Sequence, residues 1–169
     1  MNNLRILIGL LTPALLSGCV DQEATPVRSA ADTAILLAST SHVWMADFDG
    51  DKGSLAYFVP ETDELVISLE CIKSTGRATV SALTEQPPGP GTLVLWDGDR
   101  TREWAAVVEW DDVMGGSLAV AEIGLHEAAL TPLRRGTGLR IGRPAIGPLA
   151  VASEPEQREV ERFFAFCDR

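Results

Sequence analysis

The chain has few of the residues from which catalytic sites are usually assembled. Histidine occurs only at 42 and 126, and no serine sits in a Gly-x-Ser-x-Gly elbow. A nucleophile and its base therefore have few ways to meet, even though the members of a triad can lie far apart in sequence. His126-Glu127 lacks the spacing of a helical zinc site. Carboxylate pairs for glycosidic chemistry can be drawn from Glu103, Glu109, Asp111 and Asp112, but nothing sets these apart in a chain with 24 acids. The reading is of a protein that is not an enzyme and holds no cofactor and no metal. The longest apolar run, Ile6 to Leu16, is broken by Gly9, Thr12 and Pro13. It falls short of the roughly 20 residues that a membrane-spanning helix requires. Bases are scarce as well, with 14 Lys and Arg against 24 acids and a net charge of −10. That balance argues against nucleic acid as a partner and favours cationic proteins, peptides or metal ions.

What is present begins with residues 1–19, MNNLRILIGLLTPALLSGC. Arg5 supplies a positive flank and Ile6 to Leu16 an apolar stretch, the order of an export signal. The stretch ends in Leu16-Ser17-Gly18-Cys19, which resembles the lipobox of bacterial lipoproteins: a leucine, two small residues and an invariant cysteine. The resemblance implies a signal peptide over 1–18, a diacylglycerol on the sulfur of Cys19, and cleavage in front of it. The partner so implied is a membrane, reached through the anchor at Cys19. Each buried methylene of an acyl chain contributes about 0.8 kcal/mol, so two or three chains hold a domain at a membrane almost permanently. In that family an Asp directly after the cysteine is a common inner-membrane retention signal. Here Val20 intervenes before Asp21, so the periplasmic face of the outer membrane is the favoured destination. Loss of Arg5 with the leader takes the net charge to −11.

Residues 19–40 are small, polar and Ala-rich, and read as a lipidated tether with a helical turn around Ala30 to Ala38. A single β-rich domain follows over 41–169, long enough for a core of its own. Strands are expected near 42–48, 54–59, 64–71, 77–83, 92–97, 102–110, 117–123, 138–142 and 147–152. Turns at Asp49-Gly50-Asp51, Lys73-Ser74-Thr75-Gly76 and Asp97-Gly98-Asp99 separate several of them. Gln86-Pro87-Pro88-Gly89-Pro90-Gly91 reads as a stiff connector, and Leu125 to Leu133 as a short helix or turn. No long helix lies between strands, which predicts antiparallel pairing in a small sandwich or barrel. A helix is expected over 154–167, with Ser153 as N-cap, Pro155 in the first turn and Glu156 completing a capping box. Strands closed by such a helix resemble uncharacterised secreted proteobacterial proteins, a likeness that bears on fold alone.

With Cys19 spent on lipid, Cys71 and Cys167 remain as an even pair in an oxidising compartment. Alternation over 64–71 sets Leu65, Ile67, Leu69 and Cys71 on one strand face. Helical spacing joins Val160, Phe163, Phe164 and Cys167. Both thiols thus point inward, and a disulfide that ties the last helix back is expected, with two buried free thiols as the alternative.

Binding surfaces have three candidates. Between Cys19 and Glu127 acids outnumber bases 19 to 6, so this half carries the negative field. Asp47, Asp49 and Asp51 alternate as calcium ligands do, but Lys52 stands at the glycine position of an EF-hand loop and Phe58 at its glutamate. An acidic hairpin turn is the reading there. Trp96, Trp104 and Trp110 flank one hairpin beside Asp97, Asp99, Glu109 and Asp111, as a face for a glycan or a cation requires. The one basic island holds Arg134, Arg135, Arg140 and Arg143 and is expected to pair mainly with the protein's own acids. The function expected is a non-catalytic envelope module that binds a cationic protein or a glycan. Membrane-bound lysozyme inhibitors share this architecture, although their Ser-Gly-x-x-Tyr loop is missing: the nearest text is Ser74-Thr75-Gly76-Arg77. A small envelope hydrolase is the remaining alternative.

Overall fold

The computed structural model describes residues 42–169 except 63. The leader, Cys19, the tether and its helical turn lie outside the described residues. The elements run β1 (Val43–Asp49), β2 (Lys52–Phe58), β3 (Leu65–Ile72), β4 (Arg77–Thr84), β5 (Gly89–Asp97), β6 (Arg100–Asp111), β7 (Gly116–Gly124). A 3-10 turn over Ala128–Leu130 then leads into α1 (Thr131–Arg134), β8 (Leu139–Ile141), β9 (Ile146–Leu149) and α2 (Glu154–Cys167). All nine strands form one antiparallel sheet in the order β1-β2-β3-β4-β7-β6-β5-β8-β9, curled into a half-barrel. The expected mainly β fold with a C-terminal helix is what forms, as one curved sheet.

Two-residue turns at Gly50-Asp51 and Gly98-Asp99 close the β1–β2 and β5–β6 hairpins. Gly50 (φ 58°) and Gly98 (φ 59°) take the left-handed conformation that such tight turns require. The connector before β5 is shorter than its sequence suggests, because Gly89, Pro90 and Gly91 already pair with Val108, Val107 and Ala106 of β6. Proline is tolerated there because β8 pairs with β5 only at Leu95, so the other edge of β5 at Pro90 has no partner to lose.

The inward faces of the strands carry Trp44, Leu55, Ile67, Leu69, Val80 and Ile123, all buried. Helix α2 seals this core with Val160, Phe163 and Phe164, lying across β1 and β2. Cys167 at its end forms a disulfide with Cys71 of β3 across 96 positions. Gly53 sits opposite Cys71, and a Cβ there would stand 2.8 Å from the Phe166 ring and 3.3 Å from the Cys71 sulfur. The helix can approach this closely only because β2 has no side chain at that point. The Ser153 hydroxyl accepts from the Glu156 amide, and the Glu156 carboxylate accepts from the Ala152 amide at 2.6 Å. The half-barrel's first and last strands meet through one side chain: the Trp44 indole N–H donates to the Leu149 carbonyl at 3.3 Å.

Arg134 fastens α1 to both neighbours. Its Nε and Nη2 donate to the Leu125 carbonyl at 3.3 and 3.0 Å, its Nη1 to Asp168 at 3.0 Å, and it lies 4.0 Å from the Phe164 ring centre. The bond from Arg134 holds the Asp168 carboxyl below its usual range, aided by the charges of Arg134 and His126 and opposed by partial burial. Arg134→Ala is expected to lower stability by about 1–2 kcal/mol at neutral pH in urea titrations. The folded-state pKa of Asp168 is depressed, so its share is present above the unfolded value near 3.9 and fades as pH falls through the lower folded value. The gap between wild type and Arg134→Ala should therefore narrow on acidification below about pH 4.

Candidate functional site

The outward side of the sheet carries a polar row that crosses five strands. Asp47 of β1 pairs with Ser54 of β2, Ser54 with Glu70 of β3, Glu70 with Thr79 of β4, and Thr79 with Glu122 of β7. Neighbouring strands lie about 4.8 Å apart, so the carboxylates recur every 10 Å or so with a hydroxyl between each pair. The row lies in a groove of about 570 Å³ that Asp49, Lys52, Thr75 and Arg77 help to line. Arg77 is ion-paired with Glu122, which neutralises that end. Asp47 and Glu70 form no ion pair shown among the described residues, and all three carboxylates are exposed. Exposed carboxylates beside hydroxyls accept hydrogen bonds, and their charge attracts ammonium or guanidinium groups.

Neither histidine lines this groove. His42 stacks on Tyr57 at 5.2 Å, at the opposite end of β1 from Asp47 and Asp49. Burial, and secondarily the charge of Glu156, raises the pKa of the Tyr57 hydroxyl. His126 lies exposed beside Asp168, 3.7 Å from its carboxylate. Ser54 and Thr79 thus have no imidazole beside them to take a proton.

The candidates read from sequence separate in space. Asp47 and Asp49 line the groove while Asp51 stands in the exposed turn, and among the described residues no three acids, histidines or cysteines converge as a metal site. The tryptophans do not form one face. Trp96 pairs with Thr101 and Trp104 with Leu93, so they point to opposite sides of the β5–β6 hairpin. Trp104 packs against the core. Trp110, opposite Ser117, lies nine positions along β6 from Thr101, roughly 30 Å away. It is 57 % exposed, and its indole donates to Asp112 at 2.9 Å.

The arginines are drawn into internal contacts. Arg140 lies 4.6 Å over the Trp96 ring, donates to the Gly98 carbonyl at 3.2 Å and faces Asp99 at 3.9 Å. Arg143 donates to Thr101 and Glu103, at 2.6 and 2.5 Å. Arg135 caps the C-terminal end of α1 and is exposed. Only Trp96 and Arg140 of the proposed aromatic and basic surface come together, and they stack on each other. Ser54, Glu70, Thr79 and Glu122 were missed in the sequence because each looks like the ordinary outward polar residue of its own strand. Only the strand order unites them.

In comparison with known proteins, the chain matches no family model, no curated protein and no solved structure.

Proposed function

We propose that this protein is a lipid-anchored, non-catalytic binding module of the bacterial envelope that presents its acidic groove to a cationic partner. One observation carries the binding half of this reading: the row Asp47–Ser54–Glu70–Thr79–Glu122, set in register within the groove. The anchoring half is supported by Leu16-Ser17-Gly18-Cys19, followed by an Ala-rich tether. A disulfide in the domain is in keeping with an oxidising compartment. A lysozyme-inhibitor-like role is the narrower form of the same proposal, since lysozyme is a cationic protein of the kind the groove would attract.

Each half has its own test. Cys19→Ser should abolish palmitate labelling and shift the protein from the membrane fraction to the soluble one, or leave it unprocessed. Labelled, membrane-bound mutant protein would remove the anchor from the proposal. For the groove, the double substitution Asp47→Asn with Glu70→Gln should weaken binding of lysozyme or polylysine by about tenfold or more in calorimetry at low salt. Wild-type binding should fall towards the mutant's as ionic strength passes 0.1 M, where charges are screened beyond about 10 Å. Equal affinity of mutant and wild type at every salt concentration would remove the groove as the binding surface.

A further inference from the structure

Helix α2 has an outward side of its own, and its charge is opposite to that of the acidic row. Arg158, Glu161, Arg162, Ala165 and Arg169 stand there with Phe48 and Phe166 around a groove of about 450 Å³. Three arginines against one acid make a cationic site on a chain of net charge −10. The Phe48 and Phe166 rings, 4.8 Å apart and partly buried, are its apolar part. Arg162 lies 5.2 Å over the Phe48 ring, and Lys73 lies 5.8 Å over that of Phe166.

The helix does not use up these arginines. Arg158 donates to Glu154 and Arg162 to Glu159, each through Nη1 alone. Both side chains are more than half exposed. Exposed pairs of this kind contribute little, so a better-placed carboxylate can take the guanidinium over. Arg169 donates through Nε to the Ala165 carbonyl at 3.1 Å, which leaves its other nitrogens to donate elsewhere. The one acid, Glu161, already accepts from the Gln157 amide at 2.7 Å.

Strand parity sets this groove behind the acidic row. Asp47 and Asp49 point to one side of β1, and Phe48 between them points to the other, where α2 lies. The molecule is therefore layered, acidic on one face and cationic on the opposite one. The spacings on the two faces agree. Arg169 follows the last turn of α2, seven positions on from Arg162, which is about 10.5 Å along one helical face. Asp47 and Glu70 lie two strands apart, about 10 Å, with Ser54 between them.

We propose that the cationic groove of α2 receives the acidic groove of a second copy of this chain. Arg162 and Arg169 then meet Asp47 and Glu70 of the next copy, one arginine to each carboxylate. Their meeting presupposes that the acidic groove is a binding surface, as proposed above, and makes the chain itself that groove's cationic partner. Two different surfaces come together, so the contact is head-to-tail and builds rings or open rows of copies, not a two-fold dimer.

The experiment uses the full chain with Cys19→Ser, in isotope-labelled and unlabelled forms that are mixed. The labelled copy carries a benzophenone side chain at position 165, which should cross-link to unlabelled peptides from β1, β2 or β3. Arg162→Glu with Arg169→Glu in the labelled copy should reduce this at least about tenfold, as should Asp47→Lys with Glu70→Lys in the unlabelled one. Mixing the two charge-reversed copies should restore it, which a misfolded variant could not do. Polylysine binding is measured on the same proteins, and only the Asp47→Lys, Glu70→Lys variant should lose it. That pattern without cross-links between copies would keep the acidic groove and overturn the second copy as its partner. Cross-links that persist in both single-sided reversals would overturn it as well. Polylysine binding that ignores Asp47→Lys with Glu70→Lys would remove the acidic groove, and the contact between copies with it.

Discussion

Replacing Cys71 and Cys167 together by alanine should be among the most damaging changes to this fold. The bridge spans 96 positions and so closes everything from the end of β3 to the end of α2 into one loop. In the chain-entropy model, a loop of that length stabilises by about 4–5 kcal/mol, through the freedom it takes from the unfolded chain. For a domain of this size that corresponds to a fall in Tm of roughly 15–20 °C. The Ser74 hydroxyl, which donates to the Arg169 carbonyl at 2.7 Å, holds the same corner and cannot replace a covalent tie. Scanning calorimetry with and without reductant gives the control, because reduction should bring wild type down to the double mutant and leave the mutant unmoved. A double mutant that melts with wild type would show that α2 is held by packing alone.

The second large effect is expected at Trp44. Its ring is 2 % exposed, lies 5.0 Å from Tyr57, and joins the sheet's two edges through the bond to Leu149. Trp44→Ala should cost about 3–5 kcal/mol, as for other buried aromatic truncations. Trp44→Phe keeps much of the packing and removes the indole donor, so it should cost about 1–2 kcal/mol, including the Leu149 carbonyl left without this partner. The difference between the two separates core filling from edge closure. Urea unfolding followed by far-UV circular dichroism reads both without relying on the other three tryptophans. Equal losses in the two variants would mean that the edge bond contributes most of what Trp44 provides.

Much of the local structure was legible in the sequence because it is decided locally. Alternation in Leu65 to Cys71 marked β3, and the Asp-Gly pairs placed two hairpins. Ser153, Pro155 and Glu156 fixed the start of α2, which runs over Glu154–Cys167 as expected. The inward aim of both cysteines foretold their bridge. The order of strands was not legible. β4 pairs with β7 across a gap that holds the β5–β6 hairpin, and no periodicity encodes which distant strand lies alongside. For that reason Glu122 could not be placed beside Thr79 and Glu70. The tryptophan face failed for a nearer cause: across a two-residue turn, Trp96 meets Thr101, and three positions further on Trp104 must point the other way. Parity already held that answer. The arginines took partners on remote segments, Arg134 with Asp168 and Arg143 with Glu103, in keeping with their expected use against the protein's own acids.

The indole bond that joins the first strand to the last has a kinetic meaning as well. Trp44 and Leu149 are 105 positions apart, and the two cysteines nearly as far. Contacts of such sequence separation must repay a large loop-closure entropy before they stabilise anything, so a topology dominated by them folds slowly. A chain delivered N-terminus first would hold β1 without its closing partner until almost the entire sequence had emerged. Throughout that interval β1 would have β2 beside it but neither the Trp44–Leu149 bond nor α2 against it, a state more open to pairing with other chains. Slow threading through a membrane would prolong this exposed stage, and holding the chains apart would shorten its consequences.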